Sequence, residues 1–150
     1  MPWTQTAPGV FSRPLGENET FIKLVSDPGH PLQREHWAIN STATIRPVGA
    51  LASQDILAAV LRRAWAHLRF QHPSLAAQVA ADNTHLTYTV PSSAEALHEW
   101  TEQTFAVVDA ASASEVIPTL KPGPYATLYY VPQSGELLGH TAHWRTDGIG

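Results

Sequence analysis

The groups able to do chemistry crowd into one stretch, His140-Thr141-Ala142-His143-Trp144-Arg145-Thr146-Asp147-Gly148-Ile149-Gly150. Within it, His143 is followed four places on by Asp147 and then Gly148, an H-x-x-x-D-G spacing. An imidazole titrates near neutrality, so a histidine at a strand end can take a proton from an alcohol or an amine. Asp147 need not be a base. A carboxylate in the following turn can hold that turn through backbone amides or an arginine, and Gly148 permits tight backbone approach and positive φ. His140, Trp144 and Arg145 are the neighbours expected to border such a pocket. His140, His143 and Asp147 also form an H-x-x-H-x-x-x-D set of metal-ligand types. On a strand, positions 140 and 143 point to opposite faces, so no metal site is assigned.

Elements must carry these groups to one place. Residues 1–16 contain Pro2, Pro8, Gly9, Pro14 and Gly16, and this density of breakers reads as an irregular lead-in. The β-formers of Thr20 to Val25 predict a strand, stopped by Asp27-Pro28-Gly29-His30-Pro31. His36 to Ile45, with Trp37, Ile39 and Ile45 on one parity, predicts another. From Ser53 to Phe70, Leu57, Leu61, Ala64, Trp65 and Leu68 recur at helical spacing, while Arg62, Arg63 and Arg69 lie off that stripe. Ser53 is the expected N-cap and Asp55 suits the helix dipole. Leu75 to Ala81 is open to a short helical continuation beyond Pro73.

His85 to Val90 alternates as a half-buried strand. Ser92 and Glu95 then have capping-box spacing before a helix through Leu97, Trp100, Thr104 and Phe105, fading near residues 110–114. Ala126 to Val131, a turn at Pro132 to Glu136, and Leu137 to Trp144 predict a hairpin whose second arm delivers His143. Trp37, Trp65 and Trp100 each sit on an apolar periodicity and are assigned to the core.

Composition excludes several classes. Nine Lys+Arg against 13 Asp+Glu give a net charge of −4, and the one adjacent basic pair, Arg62-Arg63, lies inside a predicted helix. Nucleic-acid binding needs clustered cations, so it is not expected. With no cysteine there are no disulfides, thiolate metal sites or cysteine nucleophiles. No apolar run approaches the roughly 18 residues that span a bilayer, and the start has no basic segment ahead of an apolar one, so a cytoplasmic protein without membrane attachment is expected.

The ordered signals resemble a known superfamily. His143-Trp144-Arg145-Thr146-Asp147-Gly148, preceded by the strand Asn40-Ser41-Thr42-Ala43, the helix Ile56 to Leu68, Gln71-His72-Pro73-Ser74-Leu75, and then strand, helix and hairpin, is similar to the CoA-dependent acyltransferases and peptide condensation domains of the chloramphenicol acetyltransferase-like fold. It looks most like the fungal alcohol acyltransferases related to trichothecene acetyltransferase. The resemblance implies His143 as general base, Asp147 as a structural support and Gly148 as a close-packing position. It also implies acyl-CoA as co-substrate, a small alcohol as acceptor, and no metal. Ala142 stands where condensation domains have a first histidine, which favours an acyl-CoA transferase over carrier-bound thioester chemistry. Ala76 stands where many condensation domains have an arginine for the motif aspartate, and Arg145 is the local substitute.

The resulting expectation is an α/β, two-layer sandwich with a mixed sheet covered by two long helices. It corresponds to the N-terminal lobe of the two-lobed fold over residues 17–150, with the C-terminal lobe absent. Two other functions fit the same residues. One is a condensation-type domain using carrier-bound thioesters, and the other is an isolated lobe acting as a non-catalytic binding module.

Overall fold

The computed structural model describes residues 2–26 and 37–146. In chain order its elements are β1 (Thr4–Ala7), β2 (Val10–Pro14), α1 (Glu17–Ser26), β3 (Ala38–Thr44), α2 (Gln54–Gln71), β4 (Gln78–Val79) and β5 (His85–Thr89). They continue with α3 (Ala94–Thr104), β6 (Phe105–Val107), α4 (Ala113–Val116), β7 (Thr127–Val131) and β8 (Glu136–Ala142). Among the described residues the strands form two four-stranded sheets. One is antiparallel in the order β1-β2-β5-β4, and the other is mixed in the order β3-β8-β7-β6, with β6 parallel to β7. The expected mixed α/β architecture is therefore present, together with an additional antiparallel sheet.

That sheet corrects the reading of residues 1–16 as irregular. Pro8 and Gly9 form the β1–β2 turn, Gly9 taking the positive φ of +71° that its missing Cβ permits. Pro14 lies at the end of β2, where a missing amide does little harm to the ladder.

The segment Thr20 to Val25 is helix, not strand. Glu19 reaches back to the Gly16 amide (Oε2 to N, 2.7 Å), and the Thr20 amide donates to the Gly16 carbonyl at 2.9 Å. This is a capping box with glycine at the cap. Arg13 grips the same carboxylate at 2.7 and 2.5 Å, so β2 locks the helix start. Local β propensity loses to capping and to this charge-assisted contact. The expected stop from Asp27 to Pro31 lies outside the described residues.

α2 appears as expected, with Leu57 and Trp65 buried. Ser53 takes the N-cap position but its side chain makes no capping bond. Arg69 is also buried, which corrects its placement off the apolar stripe. After a short 3-10 turn at Pro73–Leu75 the chain enters β4 rather than continuing as helix. The α3 cap is Ser93, whose hydroxyl accepts from the Ala96 amide at 3.2 Å, so the cap falls one residue after Ser92. α3 ends at Thr104, well before residues 110–114, because Phe105 begins a strand that pairs in parallel with β7.

The main core joins α2, α3 and β7. Trp65 and Trp100 stack at 5.8 Å with rings 12° apart, and Phe105 and Tyr130 are buried with them. A second cluster joins Leu15, Leu86, Ala142 and Trp144, binding the end of β8 to the antiparallel sheet. No described helix is long and apolar enough to cross a membrane.

Candidate active site

β8 runs antiparallel between β3 and β7, and Ala142 is its last residue. His143 follows in a turn closed by the Arg145 amide donating to the Ala142 carbonyl at 3.0 Å. Three attachments fix this turn. The His143 amide donates to the Trp37 carbonyl at 2.9 Å, extending the β3–β8 pairing one step beyond the strand. Trp144 is buried against Leu15 and Leu86. The Arg145 guanidinium donates to the carbonyls of Ser74 and Ala77, each at 2.5 Å, and of Pro124 at 2.9 Å. Its charge also lies over the Trp144 ring, 4.4 Å from the centroid.

Between these anchors the His143 side chain is half-buried and borders a cavity of about 330 Å³. Asn18, Glu19 and Ile22 of α1 form one wall of that cavity, and Ser74, Trp144, Arg145 and Thr146 complete it. The His143 ring lies against Trp37, with centroids 5.7 Å apart and planes tilted by 45°. Trp37 is 42% exposed, which corrects its assignment to the core. The His143 Nδ1 is enclosed and has no hydrogen-bond partner. Glu19 is held ionised by its bonds to Arg13, which lower its proton affinity against the opposing effect of burial. An imidazole in such a cavity can accept a proton from a bound hydroxyl if that hydroxyl reaches the free ring edge.

His140 goes elsewhere. It stands directly opposite Asn40 in the β3–β8 register, and its Nδ1 lies 2.8 Å from Asn40 Oδ1. It borders a different cavity, of about 300 Å³, with Ser41, Trp65, Thr127 and Thr141. Burial pushes its proton affinity below the ordinary imidazole range, a backbone hydrogen bond with Lys121 acting the other way. The two histidines do not share a cavity. Asp147 and Gly148 lie outside the described residues. Among the described residues no three His, Asp or Glu side chains gather as metal ligands.

Reasoning from sequence missed the α1 wall of the His143 cavity. The signal that could have revealed it is Gly16-x-x-Glu19, a capping spacing obscured by the β-formers that follow. It also missed Ser74, which enters through the turn after α2.

No family model matches the chain. The acetyltransferase pigO of Monascus ruber is 45% identical over 151 aligned positions, covering 100% of this chain and 32% of that protein. The O-acetyltransferase pigM of the same organism is 35% identical over 151 positions, covering 100% of this chain and 28% of that protein. Over its whole length the chain is similar to parts of two fungal acetyltransferases. The chain also shares its fold with the trichothecene 15-O-acetyltransferase of Fusarium sporotrichioides, with a TM-score of 0.74 at 20% identity. That match covers 98% of this chain and 34% of the solved one. The chain thus spans about a third of the length of the proteins it matches, and its resemblance to fungal alcohol acyltransferases, expected from the sequence, is met.

Proposed function

We propose that this chain forms the N-terminal lobe of a two-lobed enzyme that moves an acetyl group from acetyl-CoA to a hydroxyl of a small secondary-metabolite acceptor. His143 is the general base. The acceptor hydroxyl gives its proton to His143 as its oxygen attacks the thioester carbonyl. The tetrahedral intermediate then expels the CoA thiolate, which takes that proton back, leaving an ester and free CoA. No acyl-enzyme is required. Asp147 and Gly148 shape the turn after the base, and the second lobe supplies the rest of the acyl-donor channel.

The observation that carries the reading is the placement of His143. It lies on a turn whose two following residues are pinned, one in the core and one to three carbonyls, while its own ring borders a cavity. A general base needs that combination of a fixed backbone and an accessible ring. The names of the two Monascus ruber relatives support acetyl transfer as the reaction class.

The test is thiol release from acetyl-CoA by the full-length protein, offered polyol and phenol acceptors of secondary-metabolite size. Acceptor-dependent release with formation of an acetyl ester is expected. Turnover only with a carrier-protein-bound thioester would replace this reading with the condensation-type one. Saturable acceptor binding without release from either donor would leave a binding module.

A further inference from the structure

Trp37 immediately precedes β3, and His143 immediately follows β8. The two strands pair in unbroken antiparallel register from Ala38 opposite Ala142 to Thr44 opposite Glu136, so one further step sets Trp37 directly across from His143. The His143 amide extends the pairing to that step by donating to the Trp37 carbonyl at 2.9 Å. Side chains directly opposite on neighbouring strands stand close enough to interact. Here the indole and imidazole centroids are 5.7 Å apart with planes tilted by 45°, inside the range in which aromatic rings attract one another.

A histidine that works as a base through Nε2 is ordinarily oriented by a hydrogen bond at Nδ1. In His143 the Nδ1 atom is unpartnered, and among the described residues no side chain forms a hydrogen bond or ion pair with the ring. Rotation about the bond from Cβ to an imidazole is broad when nothing polar restrains it. Trp144 and Arg145 pin the backbone that follows His143, which fixes its Cα and leaves the ring to other contacts. The indole of Trp37 supplies one. Trp37 does not border the cavity of about 330 Å³ onto which His143 opens. It therefore lies against the base without lining the space open to an acceptor.

From this juxtaposition we infer that Trp37 is a positioning residue for acetyl transfer, its indole holding the His143 imidazole at the rotation that leaves Nε2 to the acceptor hydroxyl. The inference rests on His143 being the general base. A catalytic group misplaced by ~1 Å loses much of the advantage of proximity, so the effect falls on the proton-transfer step and not on acceptor binding. Trp37 is 42% exposed and its hydrogen bond to His143 is made by the backbone, so replacing the side chain spares the fold.

The experiment is steady-state acetyl transfer by the full-length protein, with acetyl-CoA and the polyol or phenol acceptors of the assay above, in Trp37→Leu, Trp37→Phe, His143→Ala and the double variant Trp37→Leu/His143→Ala. Trp37→Leu should lower kcat by about tenfold or more while the acceptor KM stays within about twofold. Trp37→Phe keeps an aromatic face and should stay within about threefold of the parent. In the His143→Ala background, Trp37→Leu should change the residual rate by less than about twofold, because the group it positions is gone. Trp37→Thr, which keeps strand propensity, takes the place of the leucine variant if that one does not fold. A normal kcat in Trp37→Leu overturns the inference, and a raised acceptor KM with normal kcat makes Trp37 an acceptor contact instead. Equal losses in Trp37→Leu and Trp37→Phe overturn it, as does a further tenfold loss in the double variant. A near-normal rate in His143→Ala removes the general-base reading and the inference with it, whereas a large loss there beside a normal Trp37→Leu removes the inference alone.

Discussion

The guanidinium of Arg145 donates to the main-chain carbonyl of Ala77 at 2.5 Å, joining the turn that carries His143 to a segment 68 residues earlier. Two further carbonyls, of Ser74 and Pro124, share the same cation. Two loops that converge beneath the turn, one at residues 74–77 and one at Pro124, are thus held by one side chain. Charge-assisted hydrogen bonds of this kind are among the stronger ones, and removing their donor leaves the carbonyl of the buried Ala77 without its partner. Arg145→Met is therefore expected to destabilise the protein by about 2–3 kcal/mol. It should also lower acetyl transfer, because the backing of His143 is lost. Arg145→Lys should recover little, a point charge being unable to reach carbonyls in different directions. Chemical denaturation with parallel turnover measurements checks this, and a variant within about 0.5 kcal/mol of the parent would refute the anchoring role.

This anchor shows what the sequence could and could not reveal. The H-x-x-x-D-G spacing picked out His143, and the Ala126 to Val131 and Leu137 to Trp144 arms placed it at the end of a hairpin, because both signals are local. The sequence offers Arg145 as a residue bordering the pocket and as the local arginine for Asp147. Its bonds to Ser74, Ala77 and Pro124 depend on loop packing across distant segments, which no periodicity encodes. The misread of Thr20 to Val25 has the same origin. Strand propensity is local, whereas the contact that stabilises α1 runs from Arg13 on β2 to Glu19. Phe105 to Val107 falls within the helix expected to fade near residues 110–114, because a three-residue parallel strand is too short for its alternation to register.

His143→Ala in the full-length protein is expected to lower acetyl transfer by about 10²-fold or more, with little change in stability, since the ring is half-buried and its Nδ1 has no partner to lose. The amide bond to Trp37 is made by the backbone and survives the substitution. A near-normal rate in a steady-state assay, with the fold verified by circular dichroism, would remove His143 as the base.

The His140–Asn40 pair gives stability a pH dependence whose sign is fixed. Burial holds the His140 proton affinity below its ordinary value of 6.5, so on acidification the unfolded chain takes up that proton first. The contribution is complete above 6.5 and is lost as pH falls from there through the lower value of the folded state. His140→Gln, which keeps a polar partner for Asn40, should flatten that part of the profile. Denaturation midpoints of the two proteins at about pH 8 and about pH 5.5 test this. An acid-induced loss equal in both would show that His140 is not its source.

Trp65 Nε1 donates to Thr104 Oγ1 at 2.9 Å, and that hydroxyl donates in turn to the Trp100 carbonyl at 2.7 Å. The threonine therefore satisfies an indole in α2 while bonding back into α3, at the point where the two stacked tryptophans join the helices. Thr104→Val preserves shape and removes only the hydroxyl. It leaves the Trp65 indole N–H buried without an acceptor, a loss of about 1–3 kcal/mol. Thr104→Ser restores the oxygen and should regain most of that stability, the remainder reflecting the missing methyl in a site only 2% exposed. Equal midpoints for the valine and serine variants in urea denaturation would show that the hydroxyl makes no net contribution and that the stacked rings alone hold the two helices together.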